Sequence, residues 1–166
     1  PDAAEYGYNE RFSNKTAIAP TASISIICGG TSPGVEPIAA NSYTHKTLSG
    51  SFNVRNKYLK KLLAKHNKDN DETWSSITTN QGSISHLDFL TQEEKDVFKT
   101  AFELDQKWIV ELGADRTPHI SQAQSINIFL PADVHKRELH QIHFQAWKKG
   151  LKSLYYCRSK SIQRAE

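Results

Sequence analysis

Three groups of residues in this 166-residue chain have types and spacings suited to chemistry. The first is Pro20-Thr21-Ala22-Ser23-Ile24-Ser25, where small hydroxyl side chains meet the start of an apolar run. A helix beginning here would have first-turn N–H groups with no carbonyl one turn back, and the positive end of its dipole would add to them. Such a turn suits a phosphate. Ser and Thr are also ordinary helix caps, which is their commoner use at such a place. The pattern GxxxxGK[ST] is absent, so a nucleotide-hydrolysing P-loop is not supported. The second group is Tyr155-Tyr156, which comes after the basic stretch Lys148-Lys149-Gly150-Leu151-Lys152. Neighbours in a strand face opposite sides, which would make one tyrosine a core residue and the other a surface residue. The alternative is a pair of stations for moving an electron together with a proton, because a phenol of pKa ~10 must lose both at once near neutrality. The third group is His135, His140 and His143. His140 and His143 share a helical face and His135 does not, Glu138 is the one nearby carboxylate on this stretch, and HExxH is absent. A solvated or core-edge histidine cluster is the commoner meaning of that pattern, and no metal site is expected.

Composition narrows the classes further. With 37% hydrophobic and 23% charged residues the chain fits one compact domain or a large piece of one. Mean hydropathy is −0.60, and the apolar run from Ile24 to Cys28 is interrupted by Ser25, far short of the ~20 residues that span a bilayer. No membrane association is expected. Twenty-one Lys and Arg stand against 18 Asp and Glu, scattered until the last twenty positions, so nucleic acid is not an expected partner. Cys28 and Cys157 lie far apart with no CxxC spacing, which fits a reducing, cytoplasmic location and neither a disulfide framework nor a zinc finger. Methionine is absent and the first residue is Pro1, from which a fragment, a processed piece or a trimmed chain is expected.

The elements that must hold these residues are legible in part. A short strand is predicted over residues 16–20, then a helix from Ile24 capped by the hydroxyls of Thr21 to Ser23 and ended by Gly29-Gly30. Asn56 is expected to cap a short amphipathic helix through Leu59, Leu62 and Leu63, and residues 66–72 read as a polar loop. The periodicity of Val97, Phe98, Ala101, Phe102, Trp108, Ile109 and Leu112 predicts one long helix over 91–112, with a Thr91/Glu94 capping box, Asp105 at the edge of its apolar stripe and Gly113 as its stop. Alternation over 125–130 predicts a strand closed by Pro131. A second helix is predicted from an Asp133 cap through Lys149, with Gly150 as its exit, and a last strand covers 152–156. The order indicates α/β architecture with crossover connections, and too few strands for a closed sheet.

Several motifs in this order resemble the large catalytic subunit of class I ribonucleotide reductase. Ile18-Ala19-Pro20-Thr21-Ala22-Ser23 resembles the family's substrate-phosphate loop, and Gly34-Val35-Glu36-Pro37 with Thr47-Leu48-Ser49-Gly50 resembles the family's next segment. Gln122-Ala123-Gln124-Ser125-Ile126-Asn127 is similar to a late strand of that family. The stretch from Ala146 to Tyr156 is similar to the helix and strand that carry its radical-transfer tyrosines. The resemblance runs from about Tyr8 to Gln163.

This resemblance implies reduction of ribonucleoside diphosphates to deoxyribonucleotides. It also implies that residues 1–166 are a single segment, the C-terminal part of a ten-stranded α/β barrel and incomplete alone. Thr21, Ala22, Ser23, Ile24 and Ser25 would hold substrate phosphates, Ile24 through its backbone only. Tyr155 would lie nearer the thiyl-forming cysteine, and Tyr156 would stack on it facing the small radical-generating subunit. The reducing cysteines, the catalytic Glu and Asn and the effector sites would lie upstream, so the chain alone is expected to be inactive. The expected partners are the N-terminal part of the large subunit, the small subunit with its dimetal-generated radical, and a thioredoxin- or glutaredoxin-type dithiol. No cofactor is expected on this chain. The Tyr-Tyr pair favours class I over the cobalamin-dependent class, which makes its radical in place. The rival reading is a non-catalytic nucleotide-binding or interaction module retaining part of this fold.

Overall fold

The computed structural model describes residues 4–7, 13–30, 32–48 and 50–159. Thr31, Ser49 and the outer limits of the resemblance at Tyr8 and Gln163 lie outside the described residues. The order is α1 (Ala22–Ile27), β1 (Ser42–Thr47), β2 (Gly50–Arg55), α2 (Lys57–Lys65), α3 (Asp71–Thr79), α4 (Gln92–Val97), α5 (Gln106–Arg116), β3 (Ile128–Leu130), α6 (Lys136–Lys148) and β4 (Cys157–Ser159). Short 3-10 turns occupy Ala4–Tyr6, Ala101–Glu103 and Thr117–His119.

The part that matters for the site is a parallel array centred on residues 122–130. β3 pairs with β4, Ile128 opposite Cys157, and α6 supplies the crossover that a parallel pair requires. On the other side residues 16–18 run parallel to the stretch preceding β3, bridged at Ile18 and Gln124. Gln122 N–H donates to Thr16 O and Ser125 N–H to Ile18 O, each at 2.9 Å. The central stave is covered on both faces: Ile126, Ile128 and Leu130 pack on Ile109 and Val110 of α5 and Ile142 and Ala146 of α6, while Asn127 and Phe129 are also buried. Burial of consecutive residues is the mark of a parallel barrel strand, and it replaces the one-sided alternation expected over 125–130. Two flanking staves cannot close a barrel, as expected from the strand count.

A second core lies beside it. Leu59 and Leu63 of α2 meet Trp74 and Ile77 of α3 and Ile84, Leu87 and Leu90 of the loop after α3. Asn56 caps α2 as expected, accepting from the N–H groups of Tyr58 and Leu59, and the Thr91/Glu94 capping box opens α4. Buried Asn41 joins the pieces, donating to Gly82 O and Phe98 O and accepting from Asn56 Nδ2 at 2.9 Å.

The remaining expectations need correction. The β1–β2 hairpin, with Tyr43 opposite Val54, has no counterpart among the predicted elements. The polar stretch 66–72 is a loop only to Asn70, which caps α3 by accepting from Thr73 N–H, so Asp71 and Glu72 form the first turn of a helix. The long helix over 91–112 is broken into α4, a 3-10 turn and α5, because Thr100/Glu103 makes a second capping box and Asp105 caps α5 by accepting from Lys107 N–H. Gly113 does not stop that helix. It lies buried inside α5, where a Cβ would meet Ile126 Cδ1 at 2.7 Å. His135 rather than Asp133 caps α6, its Nδ1 accepting from Arg137 N–H. Gly29 and Gly150 do sit just past α1 and α6 with φ of +87° and +81°, where glycine bears no Cβ penalty.

Candidate functional site

Tyr155 and Tyr156 precede β4 rather than forming a strand over 152–156. The backbone holds them on the central stave from both ends: Tyr155 N–H donates to Ile126 O at 2.8 Å, and Ile128 N–H donates to Tyr156 O at 2.9 Å. Regular alternation would part the side chains, yet the ring centroids are 4.2 Å apart at an interplanar angle of 55°. The rings are as close as a stack requires, and the contact is tilted. Both rings are about half exposed, at 46% and 54%, and neither belongs to a core cluster. The Tyr155 phenol is held above its ordinary pKa, first by its interaction with the Tyr156 hydroxyl, then by the charge of Tyr156 and by desolvation, while Arg158 pulls it down. The Arg158 guanidinium lies 5.6 Å from the Tyr156 ring centroid.

The turn at 21–25 differs from a simple cap. α1 begins at Ala22, two residues before the expected start, and Thr21 does not cap it. The Thr21 hydroxyl instead donates to Pro33 O at 3.1 Å. Thr21 sits at φ 50°, ψ 16°, a left-handed conformation that a β-branched residue rarely adopts. Ser25 is buried and its hydroxyl donates to Ala22 O, so it serves the turn itself. Ser23 is exposed with no side-chain hydrogen bond among the described residues, and Ile24 is 56% exposed, leaving its backbone as its one polar contribution. The N–H groups of Ala22, Ser23 and Ile24 lie in the first turn, with the first internal bond made by Ser25 N–H to Thr21 O. The turn thus offers backbone donors and one hydroxyl.

The segment that leads to the turn and the tyrosines are bonded to opposite edges of the central stave. Ile18 is level with Gln124 on one edge, and Tyr155 and Tyr156 are bonded to Ile126 and Ile128 on the other. Residues 125, 127 and 129 direct their N–H groups toward the 16–18 edge. Ser125 meets Ile18 O, but beyond it the first segment leaves and side chains take its place. Asn127 N–H donates to Glu36 Oε1, and Phe129 N–H donates to Gln106 Oε1. In the sequence Glu36 is legible only as turn chemistry beside Pro37, and Gln106 as part of a long helix; burial of both polar side chains, at 4%, is the signal that sequence lacks.

The histidines are separate from this arrangement. His135 caps α6, His143 Nδ1 lies 2.8 Å from Leu139 O, and His140 stacks on Phe144. Among the described residues no group of three or more His, Cys, Asp or Glu is placed to hold a metal ion. Among them, too, no helix is long and apolar enough to cross a membrane. Cys28 and Cys157 are both free and exposed.

Comparison with known proteins decides the family. The model of the ribonucleotide reductase barrel domain matches residues 2–157. The chain belongs to that family. It is 52% identical over 170 residues to the ribonucleoside-diphosphate reductase large subunit of Invertebrate iridescent virus 6, covering all of this chain and 18% of the relative. It is 37% identical to the large subunit of Caenorhabditis elegans, over 85% of this chain and 18% of that protein. Among solved structures, the class Id ribonucleotide reductase alpha subunit of Actinobacillus ureae superposes with a TM-score of 0.82 at 42% identity, covering 94% of this chain and 28% of that one. The chain therefore spans about a fifth to a quarter of the length of the ribonucleotide reductase large subunits it matches.

Proposed function

We propose that this chain supplies the substrate-phosphate turn and the inner radical-transfer tyrosines of a class I ribonucleoside-diphosphate reductase. The observation that carries the proposal is the contact between Tyr155 and Tyr156, with centroids 4.2 Å apart against the alternation of a strand. In this reading the small subunit supplies the oxidising equivalent from its dimetal-generated radical. Tyr156 gives up one electron and its phenolic proton, then recovers both from Tyr155. Tyr155 in turn takes a hydrogen atom from a cysteine thiol elsewhere in the large subunit, and the return path reverses each transfer. Thr21 to Ser25 fix the diphosphate, with the N–H groups of Ala22, Ser23 and Ile24 and the Ser23 hydroxyl as donors and Thr21 and Ser25 shaping the turn.

Residues 1–166 act as one segment of the catalytic barrel, together with the remaining large-subunit residues, the small subunit and a thioredoxin- or glutaredoxin-type dithiol, in the cytoplasm. Alone the chain has no reductase activity. The test is steady-state turnover of a ribonucleoside diphosphate by the assembled enzyme. Tyr155→Phe or Tyr156→Phe keeps the ring and its packing, so KM is expected to stay within about twofold while kcat falls at least a hundredfold, the loss expected of a group acting in the transfer itself. Phe variants that keep most of their turnover would leave the chain only the family's fold.

A further inference from the structure

Glu36 stands where two independent tethers meet. Its Oε1 accepts from the N–H of Asn127 on the central stave, and its own carbonyl accepts from the Ser32 hydroxyl, closing the loop 32–36 on itself. That loop is in turn held to the phosphate turn, because the Thr21 hydroxyl donates to Pro33 O at 3.1 Å. The connection runs from Thr21 through the loop and the Glu36 carboxyl to Asn127. Asn127 lies between Ile126 and Ile128, whose backbone groups hold Tyr155 and Tyr156 from the other edge. Glu36 is 4% exposed and Asn127 is 9% exposed, so water is a poor substitute for either partner. Gly34 is part of the device: a Cβ there would collide with Glu36 Oε2.

We infer that Glu36 is a positioning residue for the phosphate turn, whose carboxyl group replaces a strand neighbour on the central stave and thereby tethers loop 32–36, and through it the Thr21–Ser25 turn, to that stave. This rests on the proposed function of the turn. The tyrosines themselves do not depend on Glu36, since their bonds to Ile126 and Ile128 leave the opposite edge of the stave. Loss of the carboxyl therefore loosens the turn and spares the relay.

The experiment compares Glu36→Ala, Glu36→Gln and Gly34→Ala in the assembled enzyme, with KM and kcat for a ribonucleoside diphosphate measured separately. Glu36→Ala is expected to raise KM roughly tenfold or more, as for a buried Asn127 N–H left without an acceptor, with kcat within about threefold. Glu36→Gln keeps a carbonyl oxygen for Asn127 N–H and is expected to restore KM to within about twofold, a rescue that a need for charge would not give. Gly34→Ala retains the carboxyl but displaces it, and is expected to raise KM in the same direction, which keeps the test open should Glu36→Ala fail to fold. Unchanged KM in both Glu36→Ala and Gly34→Ala, or Glu36→Gln as impaired as Glu36→Ala, would overturn the inference. If the unmodified assembly fails to reduce the diphosphate, or Ser23→Ala leaves its KM unchanged, the reading of the turn fails instead.

Discussion

Replacing Gln106 by Leu tests how the central stave, to which the tyrosines are bonded, is held. Gln106 is 4% exposed, and its side chain makes three hydrogen bonds to backbone: Nε2 donates to Ala101 O at 2.8 Å and Leu104 O at 2.7 Å, and Oε1 accepts from Phe129 N–H at 2.8 Å. Leucine fills much of the same volume and offers none of them. The Phe129 N–H is left buried with no acceptor, at about 1–3 kcal/mol, and the two carbonyls lose neutral bonds of about 0.5–1.5 kcal/mol each. Part of this is regained from the apolar side chain, so the net loss is about 2–4 kcal/mol. If β3 opens as a local unit, amide exchange at Ile128 and Phe129 should quicken between roughly 30-fold and several hundred-fold. Hydrogen exchange read by mass spectrometry on the folded large subunit measures this directly. Gln106→Glu is a useful companion, because a carboxylate still accepts from Phe129 N–H but faces two carbonyls. Burial raises the folded-state pKa of such a carboxyl, so its stabilising contribution is present at low pH and lost as pH rises through that value. Exchange within threefold of the unmodified protein in Gln106→Leu would refute the view that Gln106 stands in for a strand neighbour.

Three further outcomes are expected from the geometry. Ser23→Ala in the assembled enzyme should raise KM for the diphosphate about tenfold or more while leaving kcat little changed, since a hydrogen bond to a charged acceptor is worth about 1.5–3 kcal/mol; initial-rate kinetics check it. His86, whose Nε2 lies 2.6 Å from Ser76 Oγ and whose Nδ1 is buried with no hydrogen-bond partner among the described residues, has its pKa lowered from 6.5, first by burial and then by Lys95, with Asp88 opposing. A lowered folded-state value means that its contribution is present above pH 6.5 and lost as pH falls through the folded value; protection of the α3 amides, taken relative to their intrinsic exchange rates, should therefore fall as pH drops through that value, and His86→Gln should flatten the fall. The isolated chain, free of contaminants, should form no deoxyribonucleotide, which product chromatography would show.

What can be read from sequence is local chemistry with a short reach. Asn56 and the Thr91/Glu94 pair cap their helices as expected, because a cap is set by residues within about four positions of one another. The β1–β2 hairpin escapes because its one alternating face, Tyr43 and His45 opposite Val54 and Phe52, is short and mostly exposed, while Thr44, Lys46, Ser51 and Asn53 make the other face polar. α3 escapes because Thr and Ser dilute its buried face, which comes down to Thr73, Trp74 and Ile77. The single helix over 91–112 is an overreach: apolar period continues across two caps, Thr100 and Asp105, whose side chains bond the backbone locally. Gly113 looks like a stop and is a contact surface for Ile126, a fact that depends on a residue in another element. Tyr155 and Tyr156 are legible as a pair, but their height on the stave depends on Ile126 and Ile128, and the roles of Glu36 and Gln106 depend on where the first stave departs. Tertiary position, not residue type, makes those two side chains matter.

The central claim is that the Tyr155 and Tyr156 hydroxyls carry the radical between subunits. It is tested most directly by single-turnover deoxynucleotide formation, with the small-subunit radical tracked by freeze-quench paramagnetic resonance in the same samples. With both tyrosines present, one equivalent of product should form while the radical signal recovers. With Phe at either position, the diphosphate should still bind, no product should form above background, and the small-subunit radical should persist unchanged. Product formed at near the unmodified rate with Phe at 155 or 156 would contradict the account.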